Sequence, residues 1–93
     1  MVPYYAISGV IIMNSTNELS VHIRWEKKSR YYRVILQKDL FDTWCLTRVW
    51  GKRNASLGQI RHLPVSNYNE GIIKINEIEK TRLQRDYLRV NSN

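Results

Sequence analysis

Cysteine is all but missing from this chain. Cys45 stands alone among 93 residues, so no disulfide can close within it, and one thiol with two scattered histidines, His22 and His62, does not make a zinc-ligand set. That usage suits a reducing compartment, and a cytoplasmic location is expected. Glycine (four) and proline (two) are also sparse; the chain is not a Gly/Pro-rich disordered polymer, and no glycine loop of the kind that cradles phosphates is present. No apolar run approaches the roughly twenty residues of a membrane helix. No pair of carboxylates stands in a setting suited to acid–base work, and at this length one domain is expected rather than a two-domain enzyme with an interdomain cleft.

Acidic residues are the other shortage. Eight Asp and Glu face 15 Lys and Arg, a net charge of +7 with a pI near 9.9, a surface that attracts polyanions. Residues 31–93 hold eleven basic and six acidic side chains, against four and two in residues 1–30. Met1 to Asn17 carry no charge at all. Without a basic n-region or a small-x-small cleavage site this stretch is a poor match to a secretory signal, and export is not expected. Residues 1–18 are therefore expected to be an extension, either a loosely held tail or an added edge strand through Ile7 to Met13, ahead of a domain at 19–93.

The remainder reads as an α+β domain. Leu19, Val21, Ile23 and Trp25 alternate with Ser20, His22, Arg24 and Glu26, the period of a half-buried strand. Tyr31 to Gln37 is a second strand with Tyr32, Val34 and Leu36 on one face, and the two form a hairpin. Asp39 and Asp42 suit a turn before a third strand, Thr43 to Trp50. Its inward face is open: Trp44, Leu46, Arg48 and Trp50 share one parity, and Cys45, Thr47 and Val49 the other. Cys45 is expected to fill the core as a small apolar group. Gly51 ends that strand, and Lys52 to Ser56 form a hairpin loop in which Asn54 best tolerates a left-handed backbone. Leu57 to Val65 is a fourth strand, closed at Pro64, which belongs at a strand end or an edge.

A helix follows, capped by Ser66 or Asn67 with Glu70 as capping-box partner. Tyr68, Ile72, Ile75 and Ile78 make its apolar stripe, and Glu70 with Lys74 and Glu77 with Lys80 support the exposed side. Lys80, Arg82 and Arg85 gather in its last turns, where cations complement the helix dipole. Tyr87 to Val90 form a short last strand or extended tail. The expected fold is a mostly antiparallel sheet of four to five strands with one long amphipathic helix packed on one face.

The one nucleophile–base combination, Cys45 with His22 or His62, is weak because His22 lies on the polar face of its strand. No enzyme, metal, cofactor or small-molecule substrate is expected. Arg48-Val49-Trp50-Gly51-Lys52-Arg53 is more informative. Its cations can neutralise phosphates, an exposed indole can stack on a base, and Gly51 leaves room for a sugar-phosphate strand. Trp50 equally well finishes a strand as a core residue, with the basic loop solvated.

These residues resemble a WGR domain, the module named for a Trp-Gly-Arg triplet and found in DNA-dependent poly(ADP-ribose) polymerases and in small stand-alone bacterial proteins. Tyr31-Tyr32-Arg33 opens the match, Asp39-Leu40-Phe41 makes the turn before Trp44, Trp50-Gly51-Lys52 stands at the triplet, Gly58-Gln59 follows, and Arg85-Asp86-Tyr87 ends the helix. The likeness runs from about Leu19 to Val90. It implies a module that binds DNA ends and breaks, with Trp50 stacking on a terminal nucleotide or its ribose, Lys52 on phosphate and Tyr87 near a 5′ phosphate. Lys52 replaces the triplet arginine, Asn54 a usual glycine, and Asp86 the glycine before Tyr87, placing an anion where phosphate is expected. The resulting site is Arg48, Trp50, Gly51, Lys52, Arg53, Arg61, Arg85 and Tyr87, with DNA as the expected partner and RNA as the other polyanion of the class. A protein-interaction or adaptor module is the alternative, in which Trp25, Trp44, Tyr31 or Tyr32 would form an aromatic patch for a partner or a homodimer.

Overall fold

The computed structural model describes residues 20–56 and 58–90. The expected extension at 1–18, the first strand residue Leu19 and the fourth-strand residue Leu57 lie outside them. The elements are β1 (Val21–Lys27), β2 (Arg30–Lys38), β3 (Trp44–Lys52), β4 (Gln59–Pro64), α1 (Tyr68–Gln84) and β5 (Leu88–Val90). They form a five-stranded sheet in the order β4-β3-β2-β1-β5, antiparallel throughout. The expected α+β architecture is the one observed, and Pro64 closes the edge strand β4, where its missing N–H interrupts no central ladder.

Register decides which face is inside. Trp25 pairs with Tyr32 and Ile23 with Val34 across β1–β2, while Tyr32 pairs with Trp50 and Leu36 with Leu46 across β2–β3. Trp25, Tyr32, Val34, Leu36 and Leu46 are buried, and Trp44 and Trp50 pack against them. The open parity of β3 is thereby resolved in favour of Trp44, Leu46, Arg48 and Trp50. Cys45 sits on the opposite face, half-buried, which corrects its expected place in the core. Burial pushes its thiol up. The strand also runs past Gly51 to Lys52, which pairs with Arg30.

Helix α1 starts as the capping pattern demands. Asn67 is the N-cap in extended backbone, its Oδ1 accepting from the Glu70 N–H at 2.8 Å, while Glu70 reaches back to the N–H of Ser66. Ile75 is buried, and Tyr68, Ile72 and Ile78 pack on the core, the tyrosine ring edge-on to Trp44. Each large buried side chain contributes on the order of 1.5–3 kcal/mol. Gly71 sets how closely the helix approaches, since a Cβ there would stand 2.5 Å from Leu36 Cδ1. Near the other end Trp25, wholly buried, donates its indole N–H to Glu79 at 3.1 Å, and Arg89 of β5 grips the same carboxylate. That ion pair ties the last strand to the helix.

The helix stops at Asp86, which adopts a left-handed backbone with φ 69°. The Tyr87 N–H bonds to the Arg82 carbonyl and the Asp86 N–H to that of Leu83, the two bonds of a Schellman ending. Lys28 and Asp42 are the other non-glycine residues with positive φ among those described. Asn54 is not among them, so the left-handed position expected there is absent and the loop after β3 closes by another route, with Ala55 N–H on the Lys52 carbonyl.

Candidate nucleic-acid interface

The register lays the helix-side face out in rows. At the hairpin end Lys27, Arg30 and Lys52 lie side by side. The next row is aromatic, Trp25, Tyr32 and Trp50, with Gln59 beyond it on β4. In the third, Arg48 stands directly opposite Arg61. Two rows of cations thus flank a row of rings. Like charges set opposite one another across a ladder disfavour the fold by about 0.2–1 kcal/mol, an arrangement that an anion between them would relieve.

The rings are held in fixed relation. Tyr32 and Trp50 stack with centroids 5.7 Å apart and planes 15° from parallel, while Trp25 meets Tyr32 edge-on. Arg48 lies over the Trp50 ring at 5.7 Å and donates to the Tyr32 hydroxyl. From the last turn of α1, Arg82 places its guanidinium 4.2 Å from the Tyr32 ring centre and 4.8 Å from that of Tyr87.

Together these groups enclose a cleft of about 510 Å³ lined by Lys27, Arg30, Tyr32, Arg48, Trp50, Arg61, Arg82, Arg85 and Tyr87. Six cations and three aromatic rings line it, and no carboxylate does. Chemically it offers phosphate-binding donors beside flat apolar faces.

Five of the eight residues singled out from sequence, Arg48, Trp50, Arg61, Arg85 and Tyr87, line this cleft. Trp50 proves to be both half-buried against the core and part of the cleft wall, so its two readings are not exclusive. Lys52 is exposed at the rim, in the row of Lys27 and Arg30, and does not line it. Gly51 faces the other way: a Cβ there would stand 3.2 Å from Gly58 Cα and 3.6 Å from the Tyr31 ring. The space foreseen for a sugar-phosphate strand is filled by the hairpin itself. Arg53 is also engaged elsewhere, donating to the Lys28 carbonyl and lying 3.7 Å from Glu26, so it clamps the β1–β2 turn.

Lys27, Arg30, Tyr32 and Arg82 also line the cleft and were not singled out from sequence. A signal existed for the first two, which share the parity of Trp25 on β1 and of Tyr32 on β2, and Arg82 precedes Arg85 by one helical turn. The aromatic patch proposed for a protein partner does not form: Trp25 and Tyr32 are 0% and 7% exposed, and Tyr31 and Trp44 lie on opposite faces of the sheet.

The outer face holds a separate cluster. Arg33 donates to His22 Nε2 at 3.2 and 2.9 Å, and burial with the charges of Arg33 and Arg24 holds His22 below the usual histidine range. His62 shares a hydrogen bond with Thr47, so neither histidine is paired with Cys45. Among the described residues no group of His, Cys, Asp and Glu could hold a metal ion, and no helix is long and apolar enough to cross a membrane.

No curated protein and no solved structure gave a match. A family model, the WGR domain, matches residues 11–93, a span that begins ahead of Leu19 and takes in every element described above. With its Trp50-Gly51-Lys52 triplet at the end of β3, the chain belongs to the WGR domain family.

Proposed function

We propose that this chain is a non-enzymatic nucleic-acid-binding module that holds DNA, at ends or breaks, with low sequence specificity. The observation that carries the reading is the cleft itself: six cations and three rings converge with no acidic side chain among them. Cations on phosphate supply salt-sensitive affinity, ring faces accept a base of any identity, and neither reads base edges. The family is known as a nucleic-acid-binding module in poly(ADP-ribose) polymerase-like proteins, which supports the same class. Tyr32, Trp50, Arg48 and Arg82 already hold one another through ring and guanidinium contacts, so this part of the wall needs little ordering when a strand enters. Arg48, Arg61, Arg85 and Lys27 serve as phosphate contacts in this reading, Trp50 as the stacking face, and Lys52 as a charge at the rim, while Tyr87, only 7% exposed, backs the cleft wall.

A gel-shift series with linear duplex, closed circular duplex and single strands, run from 50 to 200 mM salt, tests it. If all six lining cations meet phosphate, the slope of log affinity against log salt reaches about −5. Linear duplex is expected to compete better than closed circles. Affinity unchanged across that salt range refutes the cleft reading, and equal binding to linear and circular duplex refutes the preference for ends. Trp50→Ala should lose about 1–3 kcal/mol of affinity from the missing stack.

A further inference from the structure

We infer that Arg82, a residue neither the triplet nor the basic loop points to, is the group in this cleft that receives a phosphate through both prongs of its guanidinium. The inference rests on the reading of the cleft as a nucleic-acid site and specifies where in it a phosphate is anchored.

Three observations converge on Arg82. Its guanidinium contacts the rings of Tyr32 and Tyr87 at 4.2 and 4.8 Å. Contacts this close hold the guanidinium against two rings and limit its freedom, and its N–H donors lie in its plane and point outward from the edge. Second, its Nε is buried and finds no hydrogen-bond partner, and the rest of the side chain makes no hydrogen bond or ion pair with any described residue. With Nε closed off, the donors left for an incoming anion are the paired Nη1 and Nη2 groups. Third, the side chain lines the cleft beside Trp50 and Arg48, where the rings keep water from part of its surface and strengthen any bond it makes to an anion.

The other cations are less suited. Arg53 is committed to the Lys28 carbonyl and Glu26, and Arg48 spends a donor on the Tyr32 hydroxyl. Lys52, at the triplet position, is exposed at the rim and is a point charge without a planar fork. Arg82 is the oriented one. A planar fork held against two rings matches two non-bridging phosphate oxygens, and charge-assisted pairs of this geometry are among the stronger protein contacts. That chemistry is shared by an internal phosphodiester and a terminal phosphate, which the arms below separate.

The test uses the full chain with Arg82→Gln, Arg82→Lys and, as reference, Arg48→Gln, measuring melting and the binding of a labelled blunt duplex with and without 5′ phosphates between 50 and 200 mM salt. Arg82→Gln loses the charge together with the guanidinium that lies against the rings, which is why melting is measured beside binding. It is expected to bind about 10- to 100-fold more weakly, with a salt slope shallower by about 0.9, the loss of one phosphate contact. Arg82→Lys keeps the charge and loses the fork, so its slope should stay near wild type while its affinity drops. A deficit confined to phosphorylated ends assigns the contact to a terminal phosphate, and a uniform deficit assigns it to an internal one; either supports the inference. If Arg82→Gln melts far below wild type, Arg82→Lys decides, and wild-type affinity in that variant overturns the inference. An Arg82→Gln protein with unchanged affinity and slope, beside a weakened Arg48→Gln, overturns it too while leaving the cleft reading intact. A wild-type protein that binds no duplex at any salt removes the cleft reading itself.

Discussion

Asp86 is an L-residue in left-handed backbone, φ 69°, at the position where a Schellman ending favours glycine. Holding a Cβ there costs about 1–2 kcal/mol for an ordinary side chain and less for Asp or Asn, whose short polar groups bond locally. Asp86→Gly removes that cost but frees the unfolded chain, which returns about 0.4–1 kcal/mol to the other side. The net is a gain of about 0.5 kcal/mol, or roughly 2–4 °C in melting temperature for a domain of this size. Asp86→Ala keeps the Cβ and loses the local polar group, so it should melt below wild type. The same residue lies between Arg85 and Tyr87, both in the cleft wall, and its charge opposes an incoming phosphate. Asp86→Asn isolates this effect: stability close to wild type, with duplex affinity up about two- to five-fold at low salt and less as salt screens the charge. Thermal melts of the three variants and a low-salt titration of Asp86→Asn check both halves. Equal melting of the Gly and Ala variants would refute the backbone argument. An Asn variant that binds no better than wild type would refute the electrostatic one.

Glu79→Ala strips the acceptor from the wholly buried Trp25 indole and releases Arg89, so a loss of about 1–3 kcal/mol is expected in urea melts; a change under about 0.5 kcal/mol, the range of an ordinary surface substitution, would show that the bond is not structural. Gly58→Ala drives a Cβ to 2.6 Å from the Trp50 carbonyl oxygen, a backbone atom that cannot swing aside, and should cost about 1–3 kcal/mol while displacing Trp50 and weakening duplex binding; an unshifted midpoint would contradict the close approach. Because the folded-state pKa of His22 is depressed, the unfolded chain binds the extra proton first: stability is full above pH 6.5 and falls as pH drops below it. Melts at pH 7.5 and 5.5 should therefore separate wild type from His22→Gln at the higher pH more than at the lower one, and a constant difference would sink the argument. The carboxylates of Glu70 and Glu79, held below their usual range by the Ser66 N–H and by Arg89 respectively, lose their contribution only as pH falls through 4.5 and below, a separate window.

Alternation alone placed β1 and β2, because the central residues of one parity are apolar in each, Val21, Ile23 and Trp25 in β1 and Tyr32, Val34 and Leu36 in β2. In β3 it failed for a physical reason: Trp44, Leu46 and Trp50 and the set Cys45, Thr47 and Val49 both fit a half-buried face, and only pairing with Tyr32 and Leu36 on β2 selects between them. Turn chemistry was harder still. Asn54 has the side chain for a left-handed turn, yet the left-handed backbone falls at Lys28, Asp42 and Asp86, two of them Asp residues that tolerate it and one a lysine that closure of the β1–β2 hairpin forces into it. Gly51 was legible as a glycine needing space, but the neighbour that takes the space, Gly58, lies across the loop.

The cleft was half legible because its residues serve two purposes. A search of sequence for binding residues looks for cations and rings that packing does not need, and Tyr32 and Arg82 fail that filter. Tyr32 belongs to the buried parity of β2, and Arg82 reads as a complement to the helix dipole. In the fold Tyr32 is where the core and the cleft meet, touching Trp25 on the inside, Trp50 beside it and Arg82 at the cleft wall. A domain of this size buries too little surface to keep a separate core beneath its binding face. Its rings must therefore stabilise the sheet and present a surface at once, and substitutions in the aromatic row will change melting and affinity together. The cations at the edge of that row are free of this constraint, since Arg30, Arg61 and Arg85 are exposed and form no ion pair with any described residue. Binding can be tuned through them with the fold left intact.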